Sequence, residues 1–174
     1  MKILPCITLG TVILSGCASF SPSTPIAVAD LKPTQGNTVS GVTSFVQQGN
    51  RILVDARIKG LKPGQHGFHV HEVGDCSAPD GSSAGGHFNP TSDSHGDPAA
   101  MNHHGGDLGN LNADAEGNAV LNTSLPTQRI SMNKSGPNSI VGRSLVVHAD
   151  PDDFTSQPAG NSGKRIACGI ISLQ

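Results

Sequence analysis

From residue 26 onward the chain alternates apolar and polar positions with a period of two, the signature of strands with one buried face. The clearest case is Arg51 to Leu61. Ile52, Val54, Ala56 and Ile58 point one way, Arg51, Asp55, Arg57 and Lys59 the other, and Leu53 alone breaks the alternation. Residues 26–32 and Thr38 to Gln47 read as two earlier strands, the second closed by the turn Gln48-Gly49-Asn50. After the turn Lys62-Pro63-Gly64-Gln65 comes Gly67-Phe68-His69-Val70-His71-Glu72, with Phe68 and Val70 on one face and His69 and His71 on the other. Residues 73–106 read as a long loop rich in Gly, Ser, Asp, Asn and Pro. Strands are expected at 108–113 and 118–124, joined by Asp114-Ala115-Glu116-Gly117, then a loop over 126–140. A strand at Gly142 to Ala149, a second long loop at Asp150 to Lys164 and a last strand at Arg165 to Leu173 complete the chain. About eight strands with two long loops imply an all-β sandwich or barrel, and loops of that length in a compact domain usually carry function. No internal repeat and no second domain is visible.

Composition sharpens this picture. Hydrophobic residues make up 35%, with no Trp, no Tyr and five Phe, so the core is expected to be built from Val, Ile, Leu and Ala. The 22 Gly and 12 Pro fit a chain with many turns. A net charge of −2 without a clustered Lys/Arg face excludes a polyanion binder, so no nucleic-acid partner is expected. Attraction of a small anion would have to come from local charge.

The N-terminus reads as an export signal. Lys2 precedes a mostly apolar stretch, Ile3 to Leu14, too short to span a bilayer. Leu14-Ser15-Gly16-Cys17 resembles the bacterial lipobox, in which the Cys receives lipid and cleavage falls just before it. The expected organisation is a lipoprotein signal peptide at 1–16, a flexible tether at 17–25 with lipidated Cys17, and a folded domain at 26–174. Ala18 in place of Asp after the Cys points to the outer membrane in a Gram-negative source. Cys6 leaves with the signal and Cys17 is taken by lipid. Cys76 and Cys168 then remain as an even pair in an oxidising compartment, where a disulfide is expected.

Seven of the eight histidines lie between residues 66 and 104, and the eighth is His148. His69-Val70-His71 places two imidazoles on one strand face, close enough to share a metal. His87, His95, His104 and Asp107 lie in or beside the first glycine-rich loop, with Gly85-Gly86 and Gly105-Gly106 at sharp turns. An all-imidazole set suits copper, and three imidazoles with a carboxylate suit zinc. Spacing alone does not divide the ligands between two metals.

The ordered segments Gly67-Phe68-His69-Val70-His71-Glu72, Gly86-His87-Phe88-Asn89-Pro90, His95-Gly96 and His104-Gly105-Gly106-Asp107-Leu108-Gly109-Asn110 resemble the copper/zinc superoxide dismutase family. So do Gly142-Arg143-Ser144-Leu145-Val146-Val147-His148 and Gly163-Lys164-Arg165-Ile166-Ala167-Cys168-Gly169-Ile170-Ile171. The resemblance covers nearly the whole chain after the tether and implies an eight-stranded Greek-key β-barrel. It implies one copper per subunit on His69, His71, His87 and His148, and one zinc per subunit on His87, His95, His104 and Asp107, with His87 shared as a bridging imidazolate. Asp152 would orient one histidine from each metal. Cys76 and Cys168 match the family disulfide. Arg165 would guide superoxide, the substrate, with Lys164 a weaker candidate for the same field, and His87 would carry a proton. His66 and His103, without counterparts among the ligands, are expected to be solvated loop residues. Membrane contact is expected only through the N-terminal lipid. A homodimer is left open, because the family includes monomers and dimers. The alternative is a non-enzymatic periplasmic copper/zinc-binding protein of the same fold. The loops at 91–103 and 150–164 depart from the commonest family forms.

Overall fold

The computed structural model describes residues 26–174. Its strands are β1 (Ile26–Pro33), β2 (Ser40–Gln48), β3 (Arg51–Lys59), β4 (Gly64–His71), β5 (Asp107–Ala113), β6 (Ala119–Pro126), β7 (Ser144–His148) and β8 (Arg165–Leu173). One 3-10 turn, Ser82–Ala84, interrupts the first long loop. All pairings are antiparallel, in the order β5-β4-β7-β8-β1-β2-β3-β6. The sheet curls so that β5 and β6, joined through Asp114–Asn118, approach each other and nearly close a barrel. The connections from β3 to β4 and from β6 to β7 cross between its two halves, which is the Greek-key arrangement.

Alternation decides which way each strand faces. In β3, Ile52, Val54, Ala56 and Ile58 are buried, while Leu53 is 37% exposed on the outer face. The aliphatic interior includes Leu31, Leu111, Ile140, Leu145 and Ile171, but aromatic rings contribute more than composition suggested: Phe45, Phe68 and Phe88 all lie in the core. Ile130, Met132 and Ile140 come from the β6–β7 connection and help fill the same interior.

The residues Gly67 to His71 depart from one-sided burial, because every one of them is buried. Phe68 and Val70 face the core, and His69 and His71 face outward, where the two long loops cover them. This is why the strand's polar face is not a solvent face.

Two irregularities border that covered face. Between β4 and β5 the register shifts from Gly67↔Asn110 to His69↔Asp107, so β5 carries one extra residue, next to Gly109 with φ +88°. Between β7 and β8 the register passes from Val147↔Ala167 to His148↔Arg165, again with one residue extra. A bulge of this kind re-aims the side chains beside it. Here the bulges place Asp107 opposite His69, and Arg165 opposite His148.

Candidate metal centre

His69 and His71 project from the outer face of β4 by simple strand alternation. His87 is brought to them by backbone stitching: Glu72 N–H donates to Gly86 O at 2.9 Å, and Phe88 N–H donates to Val70 O at 2.8 Å. Gly106 N–H then donates to Phe88 O, and Val70 N–H to Gly106 O. A side chain on Gly106 would lie 2.3 Å from Val70 O, so only glycine permits this approach. His148 closes the group from the end of β7.

Four histidines, His69, His71, His87 and His148, therefore present ring nitrogens within 4.8 Å of one another, and so do the donors of His87, His95, His104 and Asp107. The two sets share His87. Its ring centroid lies 4.0 Å from that of His69 and 5.6 Å from that of His104.

The far nitrogen of each ring shows where its proton resides. His69 Nε2 and His95 Nε2 each lie 2.8 Å from a different oxygen of Asp152. His71 Nδ1 donates to Gly85 O at 3.0 Å and His148 Nδ1 to Gly163 O at 3.3 Å. With those nitrogens donating, the inner ones carry lone pairs. His69 Nδ1 and His87 Nε2 are buried without a hydrogen-bond partner, the Nε2 atoms of His71 and His148 face each other at 3.2 Å, and His95 Nδ1 and His104 Nδ1 lie 3.0 and 3.4 Å from the two oxygens of Asp107. In the set of His69, His71, His87 and His148 the lone pairs converge in a buried space where a cation would satisfy them, and in the other set the Asp107 carboxylate faces the rings.

Electrostatics separates the two sets. In the first, burial lowers the proton affinity of each histidine: His69 falls to about 4, and His71 and His148 drop well below the ordinary value. In the second, burial alone would raise the Asp107 carboxyl, but hydrogen bonds with His104, His87 and His95 hold it far below the carboxylate range. Burial also opposes charge on His95, yet Asp107 and Asp152 outweigh it and raise the group to about 9. Without a metal, a proton takes the cation's place there. A neutral imidazole set beside a set containing an ionised carboxylate matches the donor preferences of copper and zinc respectively.

Arg165, half-buried at the start of β8, donates to Gly81 O at 2.7 Å and Gly85 O at 2.5 Å. Gly85 O also accepts from His71, so the guanidinium is tied to the first histidine set through one carbonyl. Its side chain lines an open groove of about 440 Å³ with Thr34, Asp80 and Lys164. Cys76 and Cys168 form a disulfide, with Cα atoms 5.8 Å apart, which joins the first loop to β8. Val146 and Ala84 pack beside it. Cys17 and the segments at 1–16 and 17–25 lie outside the described residues.

The two remaining histidines are not solvated loop residues. His66 lies within β4 and is buried, with Nδ1 2.9 Å from His148 O and Nε2 2.9 Å from Lys62 O. The strand begins at Gly64, earlier than the turn Lys62–Gln65 suggested, so alternation places His66 on the inward face it shares with Phe68 and Val70. His103 is buried too, its Nδ1 donating to His104 O at 2.7 Å. Neither joins a ligand set. Sequence reading also missed Gln157, whose amide holds His95 from both sides: Oε1 accepts from His95 N–H and Nε2 donates to His95 O, each at 2.9 Å. A lone Gln in a polar loop carries no signal of this.

The model of the family described as copper/zinc superoxide dismutase matches residues 39–171, a span that includes every residue of both donor sets. The chain belongs to the copper/zinc superoxide dismutase family. It is 45% identical over 160 residues to the extracellular superoxide dismutase [Cu-Zn] of Brugia pahangi, covering 86% of this chain and 77% of the relative. It is 46% identical over 151 residues to the superoxide dismutase [Cu-Zn] of Onchocerca volvulus, covering 80% of this chain and 92% of the relative. Family membership makes the chain a superoxide dismutase whose cofactors are copper and zinc.

Proposed function

We propose that copper is held by His69, His71, His87 and His148, that zinc is held by His87, His95, His104 and Asp107, and that the enzyme works in the cell envelope. The observation that carries the assignment is His87. Its Nδ1 lies 2.8 Å from Asp107 Oδ1, and its Nε2 is buried, unpartnered and directed among the all-imidazole set. One ring thus serves both sets. Copper held there would supply one-electron redox chemistry, which zinc does not.

The chain's own residues supply the rest. Arg165 attracts superoxide and orients it with directed N–H donors, its guanidinium fixed by the carbonyls of Gly81 and Gly85. Two superoxide ions and two protons give dioxygen and hydrogen peroxide. His87 holds one of those protons at Nε2 and passes it on, and water supplies the other. Asp152 keeps His69 and His95 in the tautomers that leave their Nδ1 atoms free. The disulfide secures the loop that supplies the two carbonyls bound by Arg165.

Export is supported by the extracellular relative and by the lipobox-like Leu14-Ser15-Gly16-Cys17. In this reading residues 1–16 are removed, Cys17 carries lipid, and 17–25 tether the domain to the periplasmic side of a bacterial membrane. Arg165 beside His148 argues against a metal store, which has no use for an anion guide.

The test is the dismutation rate of the chain after Cys17, loaded with both metals. A fast rate that vanishes on copper removal is expected. A rate no better than free copper, in protein shown to hold both metals, would return the metal-store reading. Mass spectrometry of the bacterially expressed full chain checks the anchor: an unmodified Cys17 would remove it.

A further inference from the structure

The segment 91–103 carries His95 and leads into His104, yet it has no regular secondary structure. Thirteen such residues would lose roughly 1–2 kcal/mol each in backbone entropy on ordering. Something must hold them in place.

Local bonds do part of this. Asn89 clasps Asp93 through two bonds, Nδ2 to Asp93 O at 2.8 Å and Asp93 N–H to Asn89 Oδ1 at 3.1 Å. Thr91 Oγ1 donates to Asp93 Oδ2 at 2.6 Å. The remaining hold comes from a residue of the β6–β7 connection, far away in sequence. Arg129 Nη1 lies 2.5 Å from Asp93 Oδ2 and 3.3 Å from His103 O, and Nη2 donates to Met101 O. One guanidinium therefore closes residues 93–103 into a ring. His95 lies two residues inside the seam, and His104 one residue outside it.

The clamp is rooted in the barrel. Arg129 N–H donates to Pro126 O at the end of β6, and the next residue, Ile130, is fully buried in the core. The Arg129 carbonyl also meets the loop, since a side chain on Gly105 would lie 2.7 Å from it. The side chains of Arg129 and Asp93 retain 22% and 28% exposure, so their Coulomb attraction contributes little stability in itself. What the contact supplies is geometry, because a planar fork of five donors can hold a carboxylate and two carbonyls at once.

We infer that Arg129 is a positioning residue for zinc, fixing the separation of His95 and His104 and thereby setting the affinity of that site. The inference rests on the assignment of His95, His104 and Asp107 to zinc. The test starts from the fully loaded protein and measures zinc by competition with a chromophoric chelator. Copper is followed by its absorption and paramagnetic resonance spectra. Arg129→Ala is expected to weaken zinc by about 10–100-fold, the usual effect of removing support behind metal ligands, with the copper spectra unchanged. Cobalt placed in the zinc site should show altered visible bands. Arg129→Lys keeps charge and stem but not the fork, and should remain at least about tenfold weaker than the parent. It carries the test alone should the alanine variant fail to fold. Zinc affinity within twofold of the parent in Arg129→Lys, or a comparable loss of both metals, would overturn the inference. Asp107→Ala is measured alongside: if it keeps parental zinc affinity, the site assignment fails, whereas loss there with parental zinc in Arg129→Ala refutes the clamp alone.

Discussion

Asp152 offers a test in which the two metals should respond differently. Its main chain is held by Asn110, through bonds of 2.8 and 2.9 Å, so a side-chain substitution leaves the backbone supported. Oδ2 accepts from His69 alone. Oδ1 accepts from His95 and also from the Phe154 N–H, at 2.8 Å. In Asp152→Asn one oxygen becomes an NH₂ group. The remaining oxygen belongs on the Oδ1 side, where two donors meet it, and the NH₂ then faces the N–H of His69. Donor against donor forces His69 to rotate or to move its proton to Nδ1, the nitrogen meant for copper. A hydrogen bond to a charged group contributes about 1.5–3 kcal/mol, equivalent to roughly 10–100-fold in affinity. Asp152→Asn should therefore weaken copper by that factor and zinc much less, while Asp152→Ala should weaken both. The assay is chelator competition from loaded protein, with each metal followed separately. A larger loss of zinc than of copper in the asparagine variant would refute the assignment of the two carboxylate oxygens. Parental affinities in the alanine variant would refute the role altogether.

Three further outcomes follow from the same structure. Replacing Cys76 and Cys168 by Ser opens a loop of 92-residue separation, and urea unfolding should show a loss of about 4–5 kcal/mol in the chain-entropy model; a loss under about 1 kcal/mol would contradict that model here. Arg165→Ala should slow dismutation at least about tenfold at low salt and flatten its salt dependence; an unchanged low-salt rate would end the steering role. In the metal-free protein, His69 takes up a proton near pH 4 when folded and near 6.5 when unfolded, so its contribution is present above 6.5 and lost as pH falls toward 4, by about 3 kcal/mol. His71 and His148 act in the same direction. His95, raised to about 9, contributes fully below 6.5 and is lost as pH rises through 9. Denaturant titrations across pH should thus peak near 6.5, and a rise in stability from 6.5 to 4.5 would contradict the burial of neutral histidines.

Much of the architecture was legible because it depends on short-range rules. Period-two alternation identified the strand at 51–61 and the shared face of His69 and His71, since successive side chains on a strand point to opposite sides whatever the rest of the fold does. Gly and Pro clusters marked both long loops, and ordered motifs supplied the family and the residues of both donor sets. Tertiary structure decided what those local rules leave open. His66 is buried because β4 begins early enough to put it on the inward face with Phe68 and Val70, whereas His69 and His71 are buried because the two long loops cover a face that alternation alone would give to solvent. Asp107 meets His69, and Arg165 meets His148, because of single-residue bulges, which leave no periodic trace in a sequence. Gln157 and Arg129 reach the loop that carries His95 from segments that are distant in the chain and without motifs. Which nitrogen of each ring faces inward depends on acceptors such as Gly85 O, Gly163 O and Asp152, and those acceptors come together only when the barrel and its loops have closed.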